Sequence, residues 1–315
     1  MGFFSIPDIY AEEGEEFVAN ENTFKSFPIK KGNFNALEAD NIRLPLFFID
    51  GGSQELYKKG KSAFYAIKIA YSKFYSKERV EDKVYETIAR IDRDSYSRTS
   101  FKDELLFIYK KEIKTKPEEN LEENINQVRR ILEIGCAKHI CSKNKNVIIV
   151  IDGSLFWREF DKEDVYELIE LAHINNNRLV GFSKSSSLTT NKGNNALDII
   201  NEIGPRKQAW LYFPLFFGTK GLKSGCFKLH ARAPLAFRFD ILNHKETITK
   251  ENQEAIKALM LNSTDGCFLG YPYGLVYVDQ IARVSNKEAE YLRMKHFLSK
   301  RKENIKAHDI LDTLS

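Results

Sequence analysis

The chain has 315 residues, with 48 Lys and Arg against 44 Asp and Glu, so its formal net charge is +4. Hydrophobic residues make up 43% and charged residues 29%, which is typical of a globular protein and excludes a disordered or fibrous chain. No run of about 18 apolar residues occurs, which excludes a membrane-spanning helix. A charge imbalance this small permits a nucleic-acid partner but does not by itself indicate one.

Cysteine usage and the amino-terminal sequence indicate the compartment. The four cysteines, at positions 136, 141, 226 and 267, contain no CxxC pair, which suits a reducing environment better than a disulfide framework. The first ten residues are followed by the acidic stretch 12–16 and not by the apolar core of a secretory signal. We therefore expect a cytoplasmic protein.

The first half of the chain predicts strands before helices. Leu44–Asp50 is a nearly continuous apolar run that stops at Gly51-Gly52, as a strand buried on both faces does. Ala63–Tyr75, rich in aromatic and branched residues, predicts the neighbouring strand. Glu81–Lys116 is polar with scattered apolar positions, and we expect it to be helical in parts.

A strand–helix–strand unit follows Pro117. Apolar residues recur at helical spacing up to about Ile140, and the apolar run Val147–Ile151 then predicts a buried strand. Lys162–His173 predicts an amphipathic helix that leads into the strand Arg178–Phe182. Such alternation indicates a parallel α/β unit.

The last third of the chain predicts one more helix, three strands and a mainly helical end. The helix is expected at Asn195–Ile203, and the strands at Gln208–Pro214, Cys226–Ala231 and Ala236–Ile241. From Thr249 onward the pattern is helical, and the charged segment Lys295–Lys306 indicates a solvated helix face.

Two of the predicted strands end in the same way, with Asp50-Gly51 and with Asp152-Gly153. The carboxyl ends of strands in an open α/β sheet border the ligand crevice, so two such carboxylates would form an oxygen-rich site for Mg²⁺ or Mn²⁺. The alternative is structural, because Asp-Gly is also a common turn dipeptide.

Glu133 and Lys184 are further candidates, each with an ordinary structural explanation. Glu133 lies late in a predicted helix, where the helix dipole opposes a carboxylate, but it can pair with Arg129 four residues earlier. Lys184 follows a predicted strand and would face the same crevice as the two aspartates, although lysines in surface loops are common.

A basic segment follows in Lys228, Arg232 and Arg238, with Phe227 and Phe237 interleaved. Such residues can follow a DNA strand through phosphate contacts and base stacking, or they can belong to a packed strand with an exposed basic face. The Gly- and Lys-rich stretch 218–225 does not have the spacing of a Walker A loop, and GxSxG, HExxH and GxGxxG motifs are absent from the sequence.

The ordered set of these pieces resembles the NurA-type nucleases of archaea and some bacteria, whose core is RNase H-like. The resemblance covers residues 40–295 and rests on the following segments: 48–53 (FIDGGS), Glu133 in its helix, 150–155 (VIDGSL), 181–185 (GFSKS), 237–240 (FRFD) and 270–275 (GYPYGL). It implies an α/β fold, a mixed sheet flanked by helices with a helical carboxyl-terminal part. We expect a single domain over residues 1–315, with an amino-terminal extension at 1–40 and a helical tail at 285–315.

The resemblance also implies a site. Its metal-binding carboxylates correspond to Asp50, Glu133 and Asp152. Where the family has a histidine shortly after the Tyr-Pro motif, this chain has Asp279, which can bind a hard metal ion but cannot transfer a proton as an imidazole does. The first motif has two glycines where one is usual.

Two-metal phosphodiester hydrolysis is the implied chemistry, with ions roughly 4 Å apart held by the four carboxylates. Lys184 would stabilise negative charge on the phosphate. The predicted DNA contacts are made by Arg129, Lys228, Arg232, Arg238 and Tyr271.

The family further implies Mn²⁺ (or Mg²⁺) as cofactor, DNA ends as substrate, a homodimer, and a hexameric HerA-type ATPase as partner in end resection and repair. The missing Walker A loop agrees with an external motor. Two alternatives stay open: a catalytically weak or inactive DNA-binding adaptor of such a motor, favoured by the absent histidine, and a kinase-like or phosphatase-like α/β protein.

Overall fold

A computed structural model describes residues 14–15, 23–40, 42–92, 96–101, 121–184 and 188–300 of the chain. The strands of this part are β1 (Thr23–Ser26), β2 (Phe34–Ala36), β3 (Pro45–Lys59), β4 (Ser62–Tyr75), β5 (Glu78–Ile91), β6 (Tyr96–Phe101), β7 (Ile148–Asp152), β8 (Arg178–Ser183), β9 (Trp210–Gly218), β10 (Leu222–Lys228) and β11 (Phe237–Leu242). Its α-helices are α1 (Leu121–Lys143), α2 (Lys162–Ile174), α3 (Ala196–Ile203), α4 (Lys250–Asn262), α5 (Tyr273–Ala282) and α6 (Asn286–Lys300).

The strands form a mixed sheet with the order β1-β9-β10-β11-β8-β7-β3-β4-β5-β6, and β2 pairs with β9. β3, β7 and β8 are parallel to one another, whereas β9, β10, β11 and β8 pair in antiparallel fashion. Helices flank the sheet, and the chain is mainly helical from α4 onward. The predicted mixed α/β class is therefore confirmed. Among the described helices, none combines the length and the apolar character that a bilayer crossing requires.

Most of the helices and strands predicted from the sequence are present in the structure, with some differences in where they begin and end. The helix expected after Pro117 is α1, and the predicted strand–helix–strand unit is β7, α2 and β8, with its two strands parallel. β10 begins at Leu222, four residues before its predicted start, and is buried throughout. The sequence did not indicate this start, because Lys223 and Gly225 interrupt the apolar pattern of the strand.

On the amino-terminal side of α1 one prediction was wrong, and a second differs from the structure over the described residues. The strand expected to stop at Gly51-Gly52 continues to Lys59, because β3 remains paired within the sheet after the glycines. The stretch expected to be partly helical begins as strands β5 and β6. Tyr85, Thr87, Ala89 and Ile91 are buried at the two-residue period of a strand, and Ile88 among them is 9% exposed. The remainder of that stretch, residues 102–116, lies outside the described residues, as do 1–13, 16–22 and all of 301–315.

The chain divides into two compact units. The first comprises Met1–Asp50, Tyr71–Lys83 and Cys136–Val278. Its sheet packs aromatic side chains closely: the rings of Phe227 and Phe239 stack with centroids 4.8 Å apart, and Phe182 lies 5.3 Å from Phe227. This dense packing gives the parallel strands of the unit a rigid frame.

The second unit comprises Gly51–Ala70, Val84–Gly135 and Asp279–Ser315. Its core contains the following buried residues: Leu56, Ala66, Ile88, Val284 and Ala289. Within this unit the Nε of Arg293 on α6 donates a hydrogen bond of 2.7 Å to the carbonyl of Leu56 on β3.

Candidate active site

Two aspartates lie side by side where the pairing of two parallel strands ends. Ile49 of β3 is opposite Ile151 of β7, so Asp50 and Asp152 are opposite each other one residue further on. Residues opposite one another in a sheet point to the same face. Asp50 is 9% exposed, and Asp152 is half-buried. The two carboxylates therefore occupy the edge at which ligands bind in open α/β sheets.

Lys184, which directly follows the next strand, contacts Asp152. β8 ends at Ser183, and the Nζ of Lys184 donates to Oδ2 of Asp152 at 2.7 Å. Burial acts to lower the pKa of Lys184, but the hydrogen bond and the negative charge of Asp152 outweigh it, so the pKa is raised. Lys184 therefore stays protonated and holds a positive charge beside the aspartates.

Tyr271 forms a wall of the same region. Its ring packs edge-on against Phe182 and Phe237, with centroids 5.2 and 5.4 Å away, and the Nζ of Lys184 lies 5.7 Å from its centroid. Burial raises the pKa of the Tyr271 phenol, Asp152 and Asp50 raise it further, and the charge of Lys184 partly opposes them. The phenol therefore remains protonated at neutral pH and can donate a hydrogen bond.

The turn after Asp152 contains contacts that no sequence motif predicted. The φ angle of Gly153 is +106°, a conformation that favours glycine, and its N–H donates to the carbonyl of Phe182 at 2.7 Å. The hydroxyl of Ser154 donates to Oδ2 of Asp240 on β11 at 2.7 Å. In the sequence, Asp240 belongs to the segment 237–240, one of those on which the family resemblance rests. The sequence signal for a role of Asp240 is the charged pair Arg238 and Asp240 on one face of an otherwise apolar strand.

Glu133 belongs to the second unit, where it lies against Gly51. The side chain of Glu133 on α1 is 7% exposed and 3.5 Å from the Nε of Arg129, the pair suggested by their spacing. A Cβ on Gly51 would lie 2.7 Å from Oε1 of Glu133 and 2.8 Å from Cγ of Arg129. Glycine at position 51 therefore permits the close approach of β3 to α1.

Asp279 lies in a cleft of the second unit. The cleft has a volume of about 440 Å³, and its lining includes Gly52, Arg129, Asp279 and Arg283. The Nη2 of Arg283 lies 3.3 Å from Oδ2 of Asp279, four residues earlier on α5. A Cβ on Gly52 would lie 2.2 Å from the carbonyl oxygen of Ala282. Both glycines of the first motif are thus required by close contacts, Gly51 by α1 and Gly52 by the end of α5.

The three basic residues of the predicted DNA-binding segment differ in exposure. Lys228 is buried and donates to the carbonyl of Arg206 at 3.0 Å, and burial lowers its pKa. Arg238 is buried in an ion pair with Asp240. Arg232 is exposed in the connection from β10 to β11, at the edge where β8 ends.

The interleaved aromatic residues of this segment are also buried. Phe227 is fully buried and Phe237 is 8% exposed, and both pack in the aromatic core of the sheet. Because their rings already have packing partners, base stacking by Phe227 and Phe237 would require them to leave the core.

The donor chemistry of the first unit fits a hard divalent cation. Mg²⁺ is commonly held by one or two carboxylates together with waters and substrate phosphate oxygens, and Mn²⁺ also suits oxygen ligands. Asp50 and Asp152 supply such a pair of carboxylates. Within the part of the chain that the structure describes, no three His, Cys, Asp or Glu side chains gather as a metal-binding group. Water and substrate phosphate oxygens can supply further ligands to a cation at this pair.

A mixed sheet flanked by helices, with aspartates on neighbouring parallel strands, defines an RNase H-like α/β protein. The chain belongs to the NurA family, because the model described as "NurA domain" matches residues 44–284. None of the curated protein sequences matches the chain.

Several solved structures are similar to the chain. The NurA nuclease from Sulfolobus solfataricus has a TM-score of 0.55 and 16% identity, over 87% of this chain and 89% of that one. The catalytic domain of human endonuclease V has a TM-score of 0.36 and 13% identity, over 85% of this chain and 93% of that one. Aquifex aeolicus Argonaute has a TM-score of 0.35 and 10% identity, over 78% of this chain and 29% of that one.

Proposed function

We propose that the chain is a metal-dependent deoxyribonuclease that hydrolyses phosphodiester bonds at DNA ends. Family membership supports nuclease activity. The observation that carries the proposal is the placement of Asp50 and Asp152 on adjacent strands with Lys184 bonded to Asp152. Two carboxylates and one ammonium provide ligands for a cation and a positive charge for a phosphate.

Mn²⁺ or Mg²⁺ is the proposed cofactor, held in the first unit by Asp50 and Asp152. From the family resemblance we also propose Glu133 and Asp279 as carboxylate ligands. A bound divalent cation lowers the pKa of a coordinated water and offsets negative charge on the leaving oxygen.

Two further side chains act on the substrate directly. Lys184 is protonated and orients Asp152, and its ammonium can shift to the phosphate as negative charge develops there. Tyr271, whose phenol stays protonated, donates a hydrogen bond to a phosphate oxygen. Both groups lie beside the two aspartates before DNA binds, so only the ammonium of Lys184 has to move toward the reacting phosphate.

We propose Arg232 and Arg129 as contacts of the DNA backbone. Arg232 is exposed at the edge where β8 ends, and Arg129 lines the cleft of the second unit. From the resemblance we further propose that the chain forms a homodimer and that a hexameric HerA-type ATPase feeds DNA into it during end resection.

The test is a nuclease assay of purified protein on labelled single- and double-stranded DNA, titrated with Mn²⁺ and separately with Mg²⁺. We expect cleavage that EDTA abolishes, and we expect Asp152→Asn to lower kcat by about 10³-fold or more, since a lost ligand removes the cation's contribution. Asp198→Asn, which changes an exposed carboxylate on α3, is the matched control and should cut like the wild type.

An adaptor subunit is the second candidate, because Asp279 stands in place of the family histidine and is already paired with Arg283. The same titration separates the two functions. An adaptor shifts the mobility of the DNA and leaves it intact at every metal concentration, and that result would reject the nuclease.

A further inference from the structure

A carboxylate two strands away from Asp152 bonds to the turn that follows it. Asp240 on β11 has no exposed surface. Its Oδ2 accepts three hydrogen bonds: from the Ser154 hydroxyl at 2.7 Å, from the Leu155 backbone N–H at 3.1 Å and from Nη2 of Arg238 at 3.0 Å. Two of the three donors belong to the turn after Asp152.

The charge of Asp240 is balanced inside the sheet. Arg238 lies two residues earlier on the same face of β11, and its side chain is 10% exposed. A buried ion pair costs desolvation and gives little net stability compared with apolar residues of the same volume. Stability alone therefore does not account for this pair on an otherwise apolar strand.

A glycine makes the contact across the intervening strand possible. Asp240 is opposite Gly181 of β8, which is in turn opposite Ile151 of β7. A Cβ on Gly181 would lie 2.8 Å from both the Gly153 carbonyl oxygen and the Leu155 nitrogen. The turn after Asp152 thus packs directly onto the backbone of β8, within reach of Asp240.

We propose that Asp240 is a positioning residue that fixes the direction of the Asp152 carboxylate through the 153–155 turn. Its bonds to Ser154 and Leu155 limit how far the end of β7 can move, and the hydrogen bond from Arg238 holds the Asp240 carboxylate in place. This inference rests on the proposed function, because it assigns the network to the nuclease site. Groups that orient a ligand in this way typically change activity by about 10–100-fold when removed.

The main test compares Ser154→Ala with Ser224→Ala. Ser154→Ala removes one bond between Asp240 and the turn but leaves the buried ion pair intact. Ser224 is a matched control, because it is buried opposite Asp240 on β10 and its hydroxyl bonds to the carbonyl of Phe239, not to the turn. We expect Ser154→Ala to lower kcat about ten-fold with an unchanged KM for DNA, and Ser224→Ala to leave kcat unchanged at equal thermal stability.

Amide hydrogen exchange in metal-free protein provides a readout independent of activity. Asp240→Asn should accelerate exchange at the Leu155 amide, which loses its charged acceptor, and should leave the amides of α3 as they are in the wild type. Equal kcat values for Ser154→Ala and Ser224→Ala, or unchanged exchange at Leu155, would overturn the positioning role. If the wild type cuts no DNA, the proposed function fails, whereas the exchange experiment still decides whether Asp240 holds the turn.

Discussion

Single residues set the electrostatics of the candidate site. Asp152, Lys184 and Tyr271 come from three separate segments of the chain, and Asp152 raises the pKa of both Lys184 and Tyr271. The result is a site that carries a fixed positive charge and a neutral phenol beside two carboxylates. Such a charge distribution suits the recognition of a phosphodiester at neutral pH.

From the raised pKa of Lys184 we expect a specific dependence of stability on pH. Because its pKa is raised on folding, the ion pair contributes fully below the pKa of an unfolded lysine, about 10.4, and the contribution is lost as pH rises through the folded value. Lys184→Met should therefore lower the free energy of unfolding by less than about 1 kcal/mol, because the pair is partly exposed. This difference should stay constant from about pH 6 to 9 and shrink only above about 10.4.

Urea denaturation of wild type and Lys184→Met across this pH range measures the difference. Lys184→Arg, which keeps the positive charge, is the control and should follow the wild type. A difference that changes steadily between about pH 6 and 9 would show that another group dominates the pH dependence.

At the scale of elements, buried polar side chains fix where the strands of the site begin. Asn177, just before β8, accepts from the Val147 N–H at 3.1 Å and donates to the carbonyls of Cys141 and Asn144 at 3.2 and 2.9 Å. One amide thereby joins the end of α1, the start of β7 and the start of β8. The register of the two parallel strands, and hence the position of Asp152, depends on such contacts.

Replacing this amide should destabilise the chain strongly. Asn177→Ala removes three hydrogen bonds to backbone groups, two of them buried, so we expect a loss of about 3 kcal/mol at about 1 kcal/mol per bond. Asn175→Ala removes the hydrogen bond that the side-chain amide donates to the carbonyl of Leu171, and should cost about 1 kcal/mol. Urea unfolding curves of the two variants give the comparison, and equal losses would refute the role of Asn177.

At the scale of the whole molecule, the net charge of +4 is too small to attract DNA without local clustering. The proposed contacts are few, because Lys228 and Arg238 have interior partners. Three phosphate contacts, by Arg129, Lys184 and Arg232, give a slope of about −2.7 for log K against log salt. Binding should therefore be less sensitive to salt than that of a strongly basic DNA-binding protein.

The salt dependence of DNA binding tests this count. For the uncleaving Asp152→Asn protein, raising KCl from about 50 to about 200 mM should weaken binding about 40-fold. Arg232→Gln should reduce the slope by about 1, whereas Lys250→Gln, an exposed lysine at the start of α4, should leave it unchanged. Fluorescence anisotropy with a labelled oligonucleotide measures the affinity at each salt concentration and hence the slope. A slope steeper than about −6 would mean that further basic residues bind DNA.

The sequence by itself determined the mixed α/β class, the α1–β7–α2–β8 succession and the two Asp-Gly strand ends, because these follow from apolar periodicity over a few residues. It did not determine that β3 continues beyond Gly51-Gly52, that β5 and β6 are strands, or that Lys228 and Arg238 are buried. Only the tertiary structure brought Asp240 to the turn after Asp152, since Ser154 and Asp240 are 86 residues apart in the chain. Strand pairing across the sheet joins them, and no local pattern encodes a contact between residues so distant in sequence.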